Sequence, residues 1–154
     1  FLSASLLVRH PERFRSVILS GVGDGMVNGA MWDRARRYAI ADALAAEDGG
    51  ASSSAWARAL RVFAERSGND LGALSAMQSS TRGGFDPRKL GEVTLPVMVL
   101  IGEGDTLIGS ADMLAAAIPG SKYVKVPGDH LTAVAAPQLK AAVLEFLVER
   151  SPVV

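Results

Sequence analysis

The chain has 154 residues, of which 49% are hydrophobic and 21% are charged. Sixteen Lys and Arg residues balance sixteen Asp and Glu residues, so the formal net charge is zero. This balance excludes a nucleic-acid binder that works through bulk positive charge, and the composition excludes a disordered chain. The chain has no Cys, which excludes disulfides, thiolate metal sites and a Cys nucleophile.

The sequence has no uninterrupted apolar run of the ~18 residues that a membrane-spanning helix needs. It also lacks a basic segment followed by an apolar one at its start, so we predict no export signal, no membrane partner and a cytoplasmic location. The chain begins Phe1-Leu2-Ser3, inside a predicted helix and without an initiator Met. We therefore expect it to be a segment of a longer protein.

The first predicted elements are a helix and a buried strand. Leu2, Leu6 and Leu7 have the spacing of one apolar helical face over residues 1–9. The helix ends at His10-Pro11, because the residue before a proline is pushed out of the helical region. The apolar run at 17–19 is typical of a short strand that is buried on both faces.

Residues 26–86 have helical patterns and no strand pattern. An Ala-rich amphipathic helix is predicted at 31–47, and a second at 54–66, where Trp56, Leu60 and Phe63 recur at helical spacing while Arg58 and Arg61 face elsewhere. A shorter third helix follows, in which Leu71, Leu74 and Met77 repeat. We interpret the segment as an all-helical insertion.

Strands and helices alternate after the insertion. Strands are predicted at 97–101 and 123–126, and helices at 110–118 and 137–149. Such alternation predicts parallel crossovers and an α/β sheet. Three parallel strands leave an open apolar edge, so we expect the chain to be poorly soluble alone or to pair with another segment.

Two ionisable residues follow two of the predicted strands. Asp105 comes just after VMVLI-GEG, and His130 comes just after YVKV-PGD. Because catalytic groups gather at the carboxyl edge of open parallel sheets, the two side chains can meet in neighbouring loops. An Asp that accepts the Nδ1 proton of a His fixes its tautomer and stabilises the imidazolium, which is the supporting half of a Ser-His-Asp triad.

These motifs resemble the C-terminal part of the α/β-hydrolase fold. LPVMVLIGEGDTLIG is similar to the family's loop that contains the catalytic acid, and VKVPGDHLTAV is similar to its histidine turn before the last helix. HPERFRSVIL is similar to the stretch that leads into the strand before the cap. The resemblance covers essentially the whole chain.

The resemblance implies a division of the chain and an activity. Residues 1–25 would be hydrolase core, 26–86 a helical cap and 87–154 the core with the acid and histidine loops. Asp105 and His130 would be catalytic in a hydrolase that acts on an ester or a related small apolar substrate, with no cofactor and no metal.

The family nucleophile lies in G-x-S-x-G, and this sequence contains no such pentapeptide. The resemblance places the nucleophile and the oxyanion hole in a segment before Phe1. The missing N-terminal part of the same fold is therefore the expected partner. Whether the nucleophile is a Ser, as in esterases, or an Asp, as in epoxide hydrolases and dehalogenases, stays open. So does a cofactor-free peroxidase chemistry, which also occurs in the family.

Two other interpretations stay open. The chain can be a non-catalytic member of the fold that binds a ligand or signals, because such proteins also keep the triad. It can also be a complete small α/β domain, although its uncapped apolar start and low strand count argue against this.

Several other residues are weaker candidates. Asp129 adjoins His130, but adjacent residues usually point apart, so Asp105 is the preferred partner. His10 is predicted to be a surface residue, and Ser20 to end a strand near the site. The glycines at 21, 23 and 25 do not form G-x-G-x-x-G and are interpreted as the hinge into the cap. Some apolar residues of the insertion can line a pocket, although core packing is the commoner role of such residues. They are Met26, Met31, Trp32, Trp56, Phe63 and Met77.

Overall fold

The computed structural model describes residues 2–29, 34–47, 54–80 and 86–149. These residues fall into two compact units, the first formed by 2–29 with 86–149 and the second by 34–47 with 54–80. The helices of the first unit are α1 (Leu2–Arg9), α2 (Gly25–Asn28), α6 (Asp112–Ala116) and α7 (Pro137–Glu149). Its strands are β1 (Val17–Ser20), β2 (Val97–Gly102) and β3 (Lys122–Val126), and its 3-10 helices are Pro11–Arg13, Pro87–Glu92 and Ala133–Ala135. The helices of the second unit are α3 (Arg34–Ala45), α4 (Ala55–Arg66) and α5 (Leu71–Ser79).

The three strands form one parallel sheet in the order β1-β2-β3. Leu19 of β1 pairs with Val99 of β2, and Leu100 of β2 pairs with Val124 of β3. Every residue of β2 is buried, as expected for a central strand that is covered on both faces. The predicted α/β architecture is confirmed, and the carboxyl ends of all three strands lie at one edge of the sheet.

The alternation of side chains along β2 divides the core of the first unit in two. Val97, Val99 and Ile101 pack in a cluster with residues of α1, α2 and α6. Met98 and Leu100 pack in a second cluster with residues of α7, among them Phe146. Because successive side chains of a strand point to opposite faces, these clusters lie on the two faces of the sheet, and each is covered by helices.

The buried face of α1 differs from the predicted one. Ala4 and Leu7 are fully buried, whereas Leu2 and Leu6 are exposed. The three leucines therefore do not share one buried face. A small Ala side chain allows the helix to approach the sheet closely, and the periodicity of the larger residues alone does not reveal this contact.

The described elements of the second unit are all helices, and a buried arginine joins two of them. The Arg61 guanidinium donates to the carbonyls of Ala43, Leu44 and Ala46 at 2.7–3.0 Å, and to Glu65 Oε1 at 2.8 Å. The prediction that Arg61 faces away from the core is thus wrong. It satisfies carbonyls at the end of α3 that have no partner within the helix, where a cation is also favoured by the helix dipole.

The boundaries of several elements also differ from the predicted ones. The helix expected at 110–118 is restricted to Asp112–Ala116, and helix α3 ends at Ala45. Helix α2 belongs to the first unit, whereas residues from 26 onwards were expected in the insertion. Its Met26 is 1% exposed and packs in the core cluster of that unit.

Candidate active site

Asp105 and His130 meet at the carboxyl edge of the sheet. Asp105 Oδ2 lies 2.8 Å from His130 Nδ1. The Asp105 side chain is 1% exposed and that of His130 is 29% exposed. An ionised carboxylate can only accept hydrogen bonds, so Nδ1 is the donor, and in the neutral imidazole this leaves the lone pair on Nε2. The juxtaposition that we expected from the two strand ends is therefore present.

The loop after β2 holds the Asp105 carboxylate from its other side. Asp105 Oδ1 accepts from the backbone N–H groups of Leu107 at 3.1 Å and Ile108 at 2.9 Å. Both oxygens of this buried carboxylate are thus hydrogen-bonded, which burial of a charged group requires. The loop fixes the carboxylate, and the carboxylate fixes the tautomer of His130.

The loop after β2, which contains Asp105, is called the acid loop, and the loop after β3, which contains His130, is called the histidine loop. The two loops contact each other through glycine backbone atoms. Gly104 N–H donates to the carbonyl of Gly128 at 2.9 Å, and Glu103 N–H donates to the carbonyl of Val126 at 2.8 Å. A Cβ atom on Gly102 would lie only 2.5 Å from the carbonyl oxygen of Gly128. Gly128 has a φ of +109°, which residues with a Cβ rarely adopt. The glycines of both loops therefore permit the close approach that brings Asp105 to His130.

The end of β1 completes the site. A Cβ atom on Gly21 would lie 3.4 Å from His130 Cε1, so this backbone lies against the imidazole ring.

Asp24 follows in the same turn. Its N–H donates to the carbonyl of Ser110, and its Oδ1 accepts from Leu114 N at 3.0 Å. Asp24 thus joins the turn after β1 to the segment after the acid loop.

The glycine-rich segment at 21–25, which the sequence suggested as a hinge, contacts the loop after β2. A Cβ atom on Gly23 would lie 2.5 Å from both the Ile108 side chain and the Ser110 carbonyl. The glycine is therefore required for contact with the acid loop. This function of Gly23 and the bridging role of Asp24 could not be predicted from local sequence, because both depend on contacts across about 90 residues of chain.

A cavity of about 260 Å³ opens beside His130. Its lining combines polar groups of the site with an apolar wall from the last segment of the chain. The lining residues are Ser20, Gly21, Asp105, Asp129, His130, Ala133, Val134 and Leu139. Ser20 ends β1, as predicted, and lines the cavity, whereas no sequence pattern predicted the apolar wall.

None of the remaining described sequence candidates is among the residues that line this cavity. His10 is exposed and lies 3.7 Å from Glu12. Phe63 and Met77 of the second unit are each half-exposed. Met31, Trp32 and the side chain of Trp56 lie outside the described residues. Among the residues that the structure describes, no group of three His, Asp or Glu could hold a metal ion, and no helix has the length and apolar character to cross a bilayer.

Asp129 uses its carboxylate within its own turn rather than on His130. Its Oδ1 accepts from the Thr132 hydroxyl at 2.7 Å, from Thr132 N–H at 2.8 Å and from Leu131 N–H at 2.9 Å. These donors, the Thr132 hydroxyl first, lower the pKa of Asp129 below its ordinary value of 3.8. The preference for Asp105 over Asp129 as the partner of His130 therefore agrees with the geometry.

This lowered pKa predicts a pH-dependent stability. Because the folded-state pKa lies below the unfolded value of 3.8, ionised Asp129 stabilises the fold fully above that pH, and the stabilisation is lost as the pH falls through the lower folded value. We expect Asp129→Asn to remove this contribution. Urea unfolding of the wild-type and Asp129→Asn proteins should give a stability difference that is constant from about pH 5 to 8. The difference should shrink as the pH falls below the unfolded-state pKa of Asp129. A difference independent of pH down to about 3 would contradict the prediction.

Solved structures of other proteins share this arrangement of strands and helices. A hydrolase from Pseudomonas aeruginosa PA01 aligns over 95% of this chain and 60% of its own, with 23% identity and a TM-score of 0.66. A Mycobacterium tuberculosis H37Rv protein, BpoC, assigned to the non-heme bromoperoxidases, aligns over 95% and 62%, with 16% identity and a TM-score of 0.67. The enol-lactonase from Burkholderia xenovorans LB400 aligns over 95% and 61%, with 22% identity and a TM-score of 0.56.

These alignments establish the fold. The chain has the α/β-hydrolase fold, as the sequence motifs indicated. It spans about 60% of the length of the proteins that it matches. No protein-family model and no curated protein matches the sequence.

Proposed function

We propose that the chain is part of a hydrolase that acts on an ester or a related small apolar substrate. His130 is the general base, Asp105 orients it, and a segment that precedes residue 1 supplies the nucleophile and the oxyanion hole. The observation that supports this most directly is the 2.8 Å hydrogen bond between Asp105 Oδ2 and His130 Nδ1 beside a cavity. The hydrolase and the enol-lactonase that share the fold add support, since a lactone is a cyclic ester.

In the proposed mechanism His130 moves one proton in each half-reaction. Nε2 accepts the proton of the nucleophile as the nucleophile attacks the ester carbonyl, and then returns it to the departing alcohol. In the second half-reaction Nε2 takes a proton from water as the water attacks the acyl intermediate, and then gives that proton to the departing oxygen of the nucleophile. Asp105 stabilises the imidazolium formed in each step. If the nucleophile is an Asp carboxylate, His130 acts in the second step alone, on water.

The apolar wall of the cavity supports an uncharged substrate. Ala133, Val134 and Leu139 contribute aliphatic surface, and none of the described residues that line the cavity is Lys or Arg. A neutral acyl group can be buried against such a wall, whereas an anionic one would be desolvated with no cation to pair with it.

We further propose that the helical second unit is the cap of this hydrolase.

Labelling of the full-length protein tests the assignment. We expect either a covalent adduct with a fluorophosphonate on a serine outside residues 1–154, or incorporation of ¹⁸O into an Asp side chain of the protein itself during a single turnover in H₂¹⁸O. The first outcome identifies a Ser nucleophile and the second an Asp. A protein that shows neither signal and hydrolyses no p-nitrophenyl ester would contradict the hydrolase proposal and favour ligand binding by the same cavity.

A further inference from the structure

The turn that contains His130 is closed by a reciprocal pair of hydrogen bonds between the residues on its two sides. Asp129 Oδ1 accepts from both the N–H and the hydroxyl of Thr132, and Thr132 Oγ1 in turn accepts from Asp129 N–H at 2.9 Å. The carboxylate also accepts from Leu131 N–H. The backbone on both sides of His130 is therefore fixed by side chains three residues apart.

This arrangement has the pattern of a helix capping box, but it precedes a single 3-10 turn at Ala133–Ala135. A cap of this kind normally stabilises the helix that follows it. Here the following turn is only three residues long, and the two residues enclosed by the box are His130 and Leu131. The main consequence of the box is thus the conformation of the histidine backbone.

The His130 ring depends on that backbone for its direction. Asp105 holds the ring at Nδ1, and the side chain is 29% exposed, so neighbouring side chains do not enclose it completely. One hydrogen bond leaves the ring free to tilt about the Nδ1 contact. The direction in which Nε2 points is then set by the position of the His130 Cα atom, which the box fixes together with Gly128.

We infer that Asp129 and Thr132 are positioning residues for His130. They act on His130 through the backbone and do not touch the reacting atoms. Asp105 remains the carboxylate that pairs with the ring, because Asp129 uses Oδ1 within the turn. The catalytic consequence of the inference rests on the proposed function, whereas its effect on the ring does not.

Two substitutions of Thr132 separate the hydroxyl from the bulk of the side chain. Thr132→Val keeps the shape and removes both hydroxyl bonds, and Thr132→Ser restores the hydroxyl. In the full-length protein we expect Thr132→Val to lower kcat by roughly ten- to a hundredfold with KM changed by less than about twofold, as for small misplacements of catalytic groups. We expect Thr132→Ser to retain kcat within about threefold of the wild-type value.

A spectroscopic measurement tests the same inference without activity. The Nδ1–H proton of His130, in its hydrogen bond to Asp105, should give a downfield signal in wild-type and Thr132→Ser protein, and a shifted or broadened one in Thr132→Val. The matched control is Asp70→Ala. It removes a comparable capping bond, from Asp70 Oδ1 to Ala73 N–H at 2.9 Å, in the second unit. This control should leave kcat and the proton signal unchanged.

The outcomes are separable. A Thr132→Val protein with wild-type kcat and an unchanged Nδ1–H signal would overturn the inference, as would a Thr132→Ser protein impaired as severely as Thr132→Val. If His130→Ala leaves turnover intact, the proposed function fails. The Nδ1–H signal then still decides whether Thr132 positions the ring.

Discussion

Replacing His130 by alanine in the full-length protein is expected to lower kcat by about 10⁴-fold or more, while the protein stays folded. The side chain is partly exposed, so its loss leaves no large cavity in the core. It is also the group proposed to take and return the proton in each half-reaction. A loss of this size corresponds to roughly 5.5 kcal/mol of transition-state stabilisation, which is typical when a member of a triad is removed.

The chain offers a matched control for this substitution. His10 is the second of the two histidines, and it is exposed and outside the cavity. We expect His10→Ala to retain turnover within about twofold, since surface substitutions away from such a site change little. Thermal unfolding of both variants should show that they are folded. A folded His130→Ala protein with substantial turnover would remove the catalytic assignment.

The sequence predicted the sheet and the meeting of Asp105 with His130 for the same physical reason. An apolar run such as 97–101 is stable in water only when both of its faces are buried. Strands that are buried on both faces are typical of parallel sheets with helical crossovers. Parallel strands place their carboxyl ends at one edge, so the residues after β2 and β3 had to be neighbours. The fold and the relative position of the two side chains therefore follow from local patterns and one topological rule.

Contacts between distant backbones were not predictable in this way. The exposure of Leu2 and the burial of Ala4 depend on how closely α1 approaches the sheet. Helical spacing placed Arg61 away from the apolar residues of its helix, yet it is buried where the carbonyls at the end of α3 need a donor. The Asp129–Thr132 box was not predicted either, although the sequence carries a local signal for it. Its acidic and hydroxyl residues are three positions apart, as in a capping box.

The contact between the acid loop and the histidine loop predicts a second large effect, on the stability of the fold. Gly102→Ala should destabilise the full-length protein by about 3 kcal/mol, at the upper end of the range for overpacking, and lower its Tm by roughly 6–12 °C. The added Cβ would lie 2.5 Å from the Gly128 carbonyl oxygen and 3.0 Å from that of Asp129. Both obstacles are backbone atoms of the histidine loop, so no side chain can move aside. The loop itself must shift, and His130 moves away from Asp105.

Substitutions at two further glycines make this a graded test. A Cβ on Gly104 would lie 3.3 Å from the Gly128 carbonyl oxygen, and the nearest atom to a Cβ on Gly91 is 4.0 Å away. Thermal unfolding should therefore rank Gly102→Ala as the least stable variant, Gly104→Ala as intermediate and Gly91→Ala as close to wild type. Turnover should fall in the same order, because the same displacement separates His130 from its carboxylate. Equal stabilities across the three variants would mean that the loops do not dock through glycine backbone, and the geometric basis for pairing Asp105 with His130 would be lost.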